Sequence, residues 1–171
     1  MIELDARHYR ITVSILAMSV IILLIAGSRL ELQLSPYKSL SQYLRVDGTT
    51  VIDRISSPYG LVSVVESAVI PFRHAPGMSL ASSSGPPDQL GLFVDGDNMT
   101  AMNRFTEDPV HLDYLDQMTS ALPYHVIAPR SVLIVGAGGG ADILQAMSHA
   151  PARIDAIELN PQLIEVVGQR Y

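Results

Sequence analysis

Residues 131–160 read SVLIVGAGGGADILQAMSHAPARIDAIELN, and this stretch decides the fold class. Residues 131–136 form a continuous aliphatic run, which is typical of a central parallel strand buried on both faces. The glycine-rich residues 136–141 would let backbone N–H groups approach a ligand closely, because no side chains stand in the way. The apolar spacing across residues 143–147 then predicts an amphipathic helix whose N-terminal dipole points into that loop.

A second strand follows within RIDAIELN, residues 153–160, and places Glu158 at its carboxyl end. A carboxylate there, 22 residues after Gly136, can accept hydrogen bonds from both hydroxyls of a ribose. Asn160 and Pro161 fit the N-cap and the first position of a further helix. The order of these features predicts the β-α-β opening of a Rossmann-like, nucleotide-binding domain.

The expected cofactor-binding residues belong to the glycine loop and to the end of the second strand. They are Gly136, Ala137, Gly138, Gly139, Gly140, Asp142, Glu158, Leu159 and Asn160. The loop by itself does not distinguish adenosine-containing cofactors, because its glycine spacing also satisfies the dinucleotide pattern of NAD and FAD domains. A glycine-rich turn without a ligand is the structural alternative.

Composition excludes several classes of function. The 171 residues are 48% hydrophobic with a net charge of −6, and the acidity is spread without a basic block, which argues against nucleic acid as a partner. Cysteine is absent, so disulfides, thiolate zinc sites and cysteine nucleophiles are excluded together. The five histidines are scattered in sequence without a metal-binding motif, and we expect no metal site.

Residues 11–27, ITVSILAMSVIILLIAG, carry no charge and predict a transmembrane helix, taken as residues 9–28. A secretory signal with Ala26-Gly27-Ser28 as its exit is one alternative. A buried soluble helix is another, although the polar residues form no stripe along the helix. Basic residues flank both ends, so charge does not decide the orientation.

The middle of the chain is rich in β-strand and turn signals. The stretches TTVIDRIS and GLVSVVES, within residues 43–67, predict a β-hairpin, and residues 76–88 predict an exposed connection. A strand is expected at residues 90–94, followed by a turn over residues 95–98. Apolar residues at three- and four-residue spacing predict an amphipathic helix over residues 112–122, ended by Pro123.

From about residue 57 onwards, the chain resembles the spermidine synthase family, especially bacterial members with transmembrane helices ahead of the enzyme domain. The segments that carry the resemblance are SPYGLVSVVES at 57–67, LFVDGD at 92–97, YLDQMTSALPY at 114–124, SVLIVGAGGGADILQAM at 131–147 and IDAIELNPQLIEVV at 154–167. The resemblance implies a small β-domain at residues 35–100 and a methyltransferase-like Rossmann domain from residue 105 to 171.

The resemblance also implies a cofactor, S-adenosylmethionine or its decarboxylated form, held by the glycine loop and Glu158. Its weaker implication is that four residues face the substrate: Tyr59, Asp95, Tyr114 and Asp116. At four other positions the family's polar groups for the polyamine and aminopropyl donor are replaced, by Gly60, Met99, Leu115 and Gly139. A polycationic amine needs hydrogen-bond acceptors in its binding site to offset the hydration that it loses on binding. Because these groups are replaced, the resemblance does not identify the substrate that accepts the transferred group.

A complete domain of this kind has about seven strands, and the chain supplies two before Tyr171. We therefore expect a fragment, with the family's catalytic aspartate downstream of Tyr171 and no transferase turnover in the isolated chain. The expected partners are a small-molecule acceptor such as an amine, the lipid bilayer and, through the β-rich domain, a second copy of the chain. We expect a single-pass protein of the inner (cytoplasmic) membrane with its soluble part in the cytoplasm, where the cofactor is made.

Three functions are consistent with the sequence. The first is a membrane-anchored, spermidine synthase-like transferase fragment. The second is an NAD- or FAD-binding oxidoreductase fragment, which the loop permits but the upstream segments do not favour. The third is a non-catalytic membrane protein whose Rossmann-like part senses a nucleotide or mediates assembly.

Overall fold

The computed structural model describes residues 6–28, 34–103 and 109–171. The chain divides into two compact units, Met1–Leu34 and Ser35–Tyr171. The first contains one long helix, and the second is a mixed α/β unit with a four-stranded antiparallel sheet. The Rossmann domain expected over residues 105–171 begins with residues 105–108, which lie outside the described residues.

Helix α1, Ala6–Ser28, contains an apolar segment, His8–Gly27, with a mean hydropathy of 2.3 and no burial inside the unit. The hydroxyls of Thr12 and Ser19 donate to carbonyls one turn earlier, each at 2.9 Å, so their polar groups are satisfied within the helix. By length and composition, α1 can cross a membrane. The same properties fit a signal sequence near the N-terminus.

The predicted β-hairpin is confirmed. Strands β1, Thr49–Ser57, and β2, Gly60–Ser67, pair antiparallel, and β3, Gln89–Val94, and β4, Asp97–Asn103, extend the sheet in the order β1-β2-β3-β4. A short helix α2, Ser39–Tyr43, precedes the sheet.

The four-residue turn predicted at 95–98 is wrong, because the turn contains only Asp95 and Gly96. Both residues have positive φ, +52° and +75°, as a two-residue type I′ hairpin turn requires. Val94 pairs with Asp97, and β4 begins there. The sequence did not predict this fourth strand, because residues 97–103 include Asp97 and two asparagines, residue types that are rare in strands.

Both faces of the antiparallel sheet are covered by apolar side chains. On one face the strands pack against the chain's C-terminal helix, through a cluster made of Val62, Val64, Leu90, Leu92, Met102, Leu163 and Val166. On the other face a second cluster contains Leu40, Val65, Phe72 and Phe93. The sheet is therefore the centre of the core in this unit.

The amphipathic α-helix predicted over residues 112–122 is wrong. The segment instead forms two 3-10 helices, Pro109–Gln117 and Thr119–Ala121, followed by α3, Leu122–Ile127. Pro123 lies in the first turn of α3 and does not end a helix, because a first-turn residue needs no backbone N–H partner.

The β-α-β arrangement predicted for residues 131–160 is confirmed as local structure. Strand β5, Ser131–Val135, pairs parallel with β6, Arg153–Ile157, and helix α4, Ala141–Ser148, connects them. Helix α5, Pro161–Glu165, follows and continues as a π-helix over Val166–Arg170.

The aliphatic run of β5 is typical of a strand buried on both faces, but among the described residues one face of β5 is exposed. Ile134 is buried, but Leu133 and Val135 are 63% and 76% exposed. Within the described residues β5 pairs only with β6, and a strand needs neighbours and covering helices to bury two faces. The exposed connection predicted at residues 76–88 forms no helix or strand, apart from an isolated bridge between Met78 and Met118.

Candidate functional site

The candidate site is built around the loop that joins β5 to α4. Gly136, Gly138 and Gly140 have φ values of +79°, +51° and +83°, a region that side-chain-bearing residues rarely adopt. The three glycines let the chain turn sharply out of the strand and enter α4 at Ala141. The turn brings the loop beside Glu158, the first residue after β6.

Glu158 is held by backbone N–H groups on both sides. Gly138 donates to its Oε2 atom and Asn160 to its Oε1 atom, each at 2.9 Å. Partial burial acts to raise the pKa of Glu158, but the hydrogen bonds from Asn160, Gly138 and Leu159 outweigh burial and lower the pKa below its ordinary value. The carboxylate is therefore ionised at neutral pH and joins the loop to the end of β6.

Gly139 lies against the antiparallel sheet. Its N–H donates to the Thr100 hydroxyl at 3.3 Å, and a Cβ atom at Gly139 would stand 2.1 Å from the carbonyl oxygen of Ala101. Gly139 is thus required by close packing on β4. A Cβ at Gly136, in contrast, would meet nothing within 4 Å. Open space is present on the Gly136 side of the loop.

The backbone donors of the loop all have acceptors within the protein. Gly136 and Ala137 donate to the carbonyl of Ile157 at 2.8 and 3.3 Å, and Gly140 donates to Ala137 at 2.8 Å. With the bonds of Gly138 and Gly139 described above, no N–H of residues 136–140 is left for a ligand. The acceptor capacity of Glu158 is different, because each carboxylate oxygen can accept a further hydrogen bond.

The remaining cofactor candidates surround this loop in different environments. Asp142 is exposed in the first turn of α4 and lines a groove of about 440 Å³ along β5. Leu159 is 77% exposed. Asn160 is buried, and its side chain accepts a hydrogen bond from Gln162 N at 3.0 Å, so it caps α5 as the sequence predicted.

Two of the substrate candidates, Tyr59 and Asp95, lie at hairpin turns of the sheet. Tyr59 is half exposed between β1 and β2. Asp95 accepts a hydrogen bond from Leu61 N at 2.8 Å and donates its own N–H to the Leu61 carbonyl at 2.9 Å. This arrangement ties the β3–β4 turn to the start of β2, which is a structural role for Asp95.

The other two substrate candidates, Tyr114 and Asp116, lie in the first 3-10 helix. Tyr114 is buried, and its hydroxyl donates to Asn103 Oδ1 at 2.9 Å. Burial raises the pKa of Tyr114, and its hydrogen-bond partners only partly oppose that change. Tyr114 belongs to the core, whereas Asp116 lies beside two histidines.

The histidine grouping was missed by sequence reasoning. His125 and His149 each place Nε2 close to Oδ1 of Asp116, at 2.8 and 3.1 Å. The three residues are 9 and 24 positions apart and come from three different elements, so no spacing motif could reveal them. The histidines were expected to be solvated or core residues, and the sequence did not predict that two of them meet an aspartate.

Comparisons of the chain with protein-family models, with curated proteins and with solved structures found no match.

Proposed function

We propose that this protein is a membrane-anchored, spermidine synthase-like transferase, or a fragment of one, in which the β5–α4–β6 unit binds S-adenosylmethionine or its decarboxylated form. The observation that carries the proposal is the position of Glu158. Its ionised carboxylate follows the second of two parallel strands and lies against the glycine loop. This is where a ribose is bound in open α/β sheets.

The hydrogen bonds to Glu158 fix the carboxylate before a ligand arrives. Gly138 and Asn160 each use one oxygen, which sets the orientation of the group and leaves further lone pairs for the two ribose hydroxyls. A group held in place loses little conformational entropy when the ligand binds. Nothing lies within 4 Å of a Cβ atom placed at Gly136, so no protein atom blocks a ligand at that point of the loop.

The backbone N–H groups of the loop already donate to acceptors within the protein, which favours an adenosyl sulfonium ligand over a dinucleotide. NAD and FAD place a pyrophosphate on the free N–H groups of such a loop. Here the N–H groups of residues 136–140 already have acceptors. The carboxylates of Glu158 and Asp142 at this end of α4 would also repel phosphate and attract a cationic sulfonium.

The experiment is a calorimetric titration of the purified full chain in mild detergent with S-adenosylmethionine, its decarboxylated form and NAD. We expect one of the sulfonium compounds to bind and NAD to bind more weakly or not at all. Glu158→Gln should weaken sulfonium binding about tenfold to a hundredfold, since a hydrogen bond to a charged group contributes about 1.5–3 kcal/mol.

Asp155→Asn is the matched control, because Asp155 is a partly exposed acid on β6 that pairs with Arg153 at the surface. It should leave binding unchanged. Tighter binding of NAD than of either sulfonium compound would contradict the proposal and favour the oxidoreductase alternative. Equal loss in both variants would show that Glu158 has no specific role.

The acceptor is proposed as a small molecule such as an amine, and the soluble part is proposed to lie in the cytoplasm. A reporter fused after Tyr171 tests the orientation, since an extracytoplasmic signal would contradict it.

Incubating the chain with each sulfonium compound and putrescine tests for turnover. Product formation would contradict the expectation that this chain alone is inactive.

A non-catalytic role is the second candidate, and one observation favours it. A glycine is required at position 139 by packing on β4, and the N–H groups of the loop all donate to acceptors within the protein. The loop can therefore join the two sheets without binding a ligand. If none of the three ligands binds while Glu158→Gln still lowers the stability of the chain, the junction role is supported.

A further inference from the structure

Three side chains with metal-binding donors converge at the end of α4 that is remote from the glycine loop. Asp116 comes from the first 3-10 helix, His125 from the last turn of α3, and His149 is the residue that ends α4. Their donor atoms all lie within 4.8 Å of one another. Helix α4 has eight residues and is about 12 Å long, so this cluster is separate from the proposed cofactor site.

The distances between the donor atoms are close to the spacing of neighbouring ligand atoms around a bound metal ion. Oδ1 of Asp116 is 2.8 Å from Nε2 of His125 and 3.1 Å from Nε2 of His149. In a tetrahedral zinc site, with metal–ligand distances of about 2.0–2.2 Å, neighbouring ligand atoms are roughly 3.3 Å apart. The two distances from Asp116 would each have to lengthen by a few tenths of an ångström to match this spacing.

His149 provides the strongest indication of a ligand. Its Nε2 atom is buried from solvent, yet among the described residues it makes no hydrogen bond, although Asp116 Oδ1 is 3.1 Å away. The contact with Asp116 therefore lacks hydrogen-bond geometry, and a buried polar atom without a hydrogen bond is costly and rare in folded proteins. A metal ion placed between His149 and Asp116 would satisfy this nitrogen.

The surrounding structure holds the ligands in place. The ring of Tyr124 stacks on His149, with centroids 4.6 Å apart and an angle of 3° between the planes. The buried side chain of Gln145 donates to the carbonyl of Leu115, next to Asp116, and so fixes the 3-10 helix to α4. The negative end of the α4 dipole at His149 also favours a cation.

The cluster is accessible from solvent. Asp116 and His125 line one cavity of about 340 Å³, and His149 lines a second of about 410 Å³. The side chains of Asp116 and His125 are 41% and 53% exposed, which leaves room for an ion to enter and for a water to bind it.

We propose that Asp116, His125 and His149 form a binding site for a divalent transition-metal ion. Two imidazoles and one carboxylate are the donor set that zinc accepts readily, and the three protein ligands leave a fourth tetrahedral position for water. The site does not depend on the proposed transferase function.

The test is a titration of the full chain in mild detergent, first stripped with a chelator, with Zn²⁺ by calorimetry and with Co²⁺ by visible absorption. We expect one equivalent to bind saturably, and Co²⁺ to give the absorption of a four-coordinate nitrogen and oxygen site. His149→Ala and Asp116→Asn should each weaken binding at least about tenfold, since even residues that only support a metal ligand contribute about that much.

His74→Ala is the matched control, because it removes an imidazole outside the cluster and should leave the affinity unchanged. His125→Ala guards against misfolding as the explanation, since His125 is exposed and its loss should weaken binding while the circular dichroism and the melting curve stay unchanged. The proposal is overturned if no saturable site is found, or if binding is the same in all of these variants. A hydrogen-bonded cluster without metal affinity would then be the correct description.

Discussion

At the scale of single residues, the glycines of residues 136–140 are required for different physical reasons. Gly136 combines a positive φ with open space, whereas Gly139 has the Ala101 carbonyl directly where a Cβ atom would stand. A glycine motif in the sequence therefore combines two demands, conformational freedom and close approach. Only the second involves the neighbouring sheet.

Gly139→Ala should destabilise the chain by about 1–3 kcal/mol, because the added methyl group would force the loop away from β4. Gly85→Ala is the control: nothing lies within 4 Å of that position, and its effect should stay below about 1 kcal/mol. Chemical denaturation of the full chain in detergent measures both. Equal stability of the two variants would show that the loop does not pack on β4.

At the scale of elements, the C-terminal helix has a partner that the sequence did not predict. Helix α5 and its π-helical continuation pack on the antiparallel sheet through Leu163 and Val166, and Arg170 forms an ion pair with Asp53 of β1 at 2.7 Å. The helix that follows the β-α-β unit thereby fastens this unit to the antiparallel sheet. Its apolar face is used in the core of residues 35–171.

Leu163→Ala should lower the free energy of unfolding by about 2–5 kcal/mol, since Leu163 is 6% exposed and a cavity would remain in the sheet core. Ile164→Ala, one residue along the same helix, is the control. Ile164 is 53% exposed, so its replacement should have a much smaller effect. Thermal unfolding followed by circular dichroism compares them, and a larger loss for Ile164→Ala would mean that α5 faces the sheet differently.

At the scale of the whole molecule, α1 differs from the α/β unit because its apolar side chains are not buried in a protein core. Over His8–Gly27 the helix presents apolar side chains to its surroundings without burial. Such a surface is unfavourable in water and favourable in a bilayer. By length and composition α1 can therefore cross a bilayer, either as a membrane anchor or as a signal sequence.

The full chain should stay with the membrane fraction after an alkaline wash and retain its N-terminal segment by mass spectrometry. Met18→Arg should reduce this fraction, because a charge at the centre of the helix costs about 2.5–3.5 kcal/mol on insertion. Gly27→Arg, at the end of the apolar segment, is the control and should have little effect, since an arginine there can reach the interface. Recovery of a shortened chain in the soluble fraction would identify α1 as a cleaved signal.

Local structure was largely predictable from the sequence. The apolar helix, the hairpin of β1 and β2, the strand-forming runs of β5 and β6, and the cap at Asn160 all follow from neighbouring residues. The failures occurred where local signals were ambiguous. A proline such as Pro123 can follow the end of a helix or lie in its first turn, and here it lies in the first turn of α3. Residues 97 and 98 were predicted as part of a turn, although β4 begins at Asp97.

The tertiary structure alone decided the long-range contacts. It placed Gly139 against Ala101, exposed one side of β5, packed α5 on the antiparallel sheet, and brought His125 and His149 to Asp116. Periodicity and capping depend on residues within one or two turns of each other, so the sequence by itself determined them. The environment of a donor atom depends on which elements pack together, and no local pattern records that.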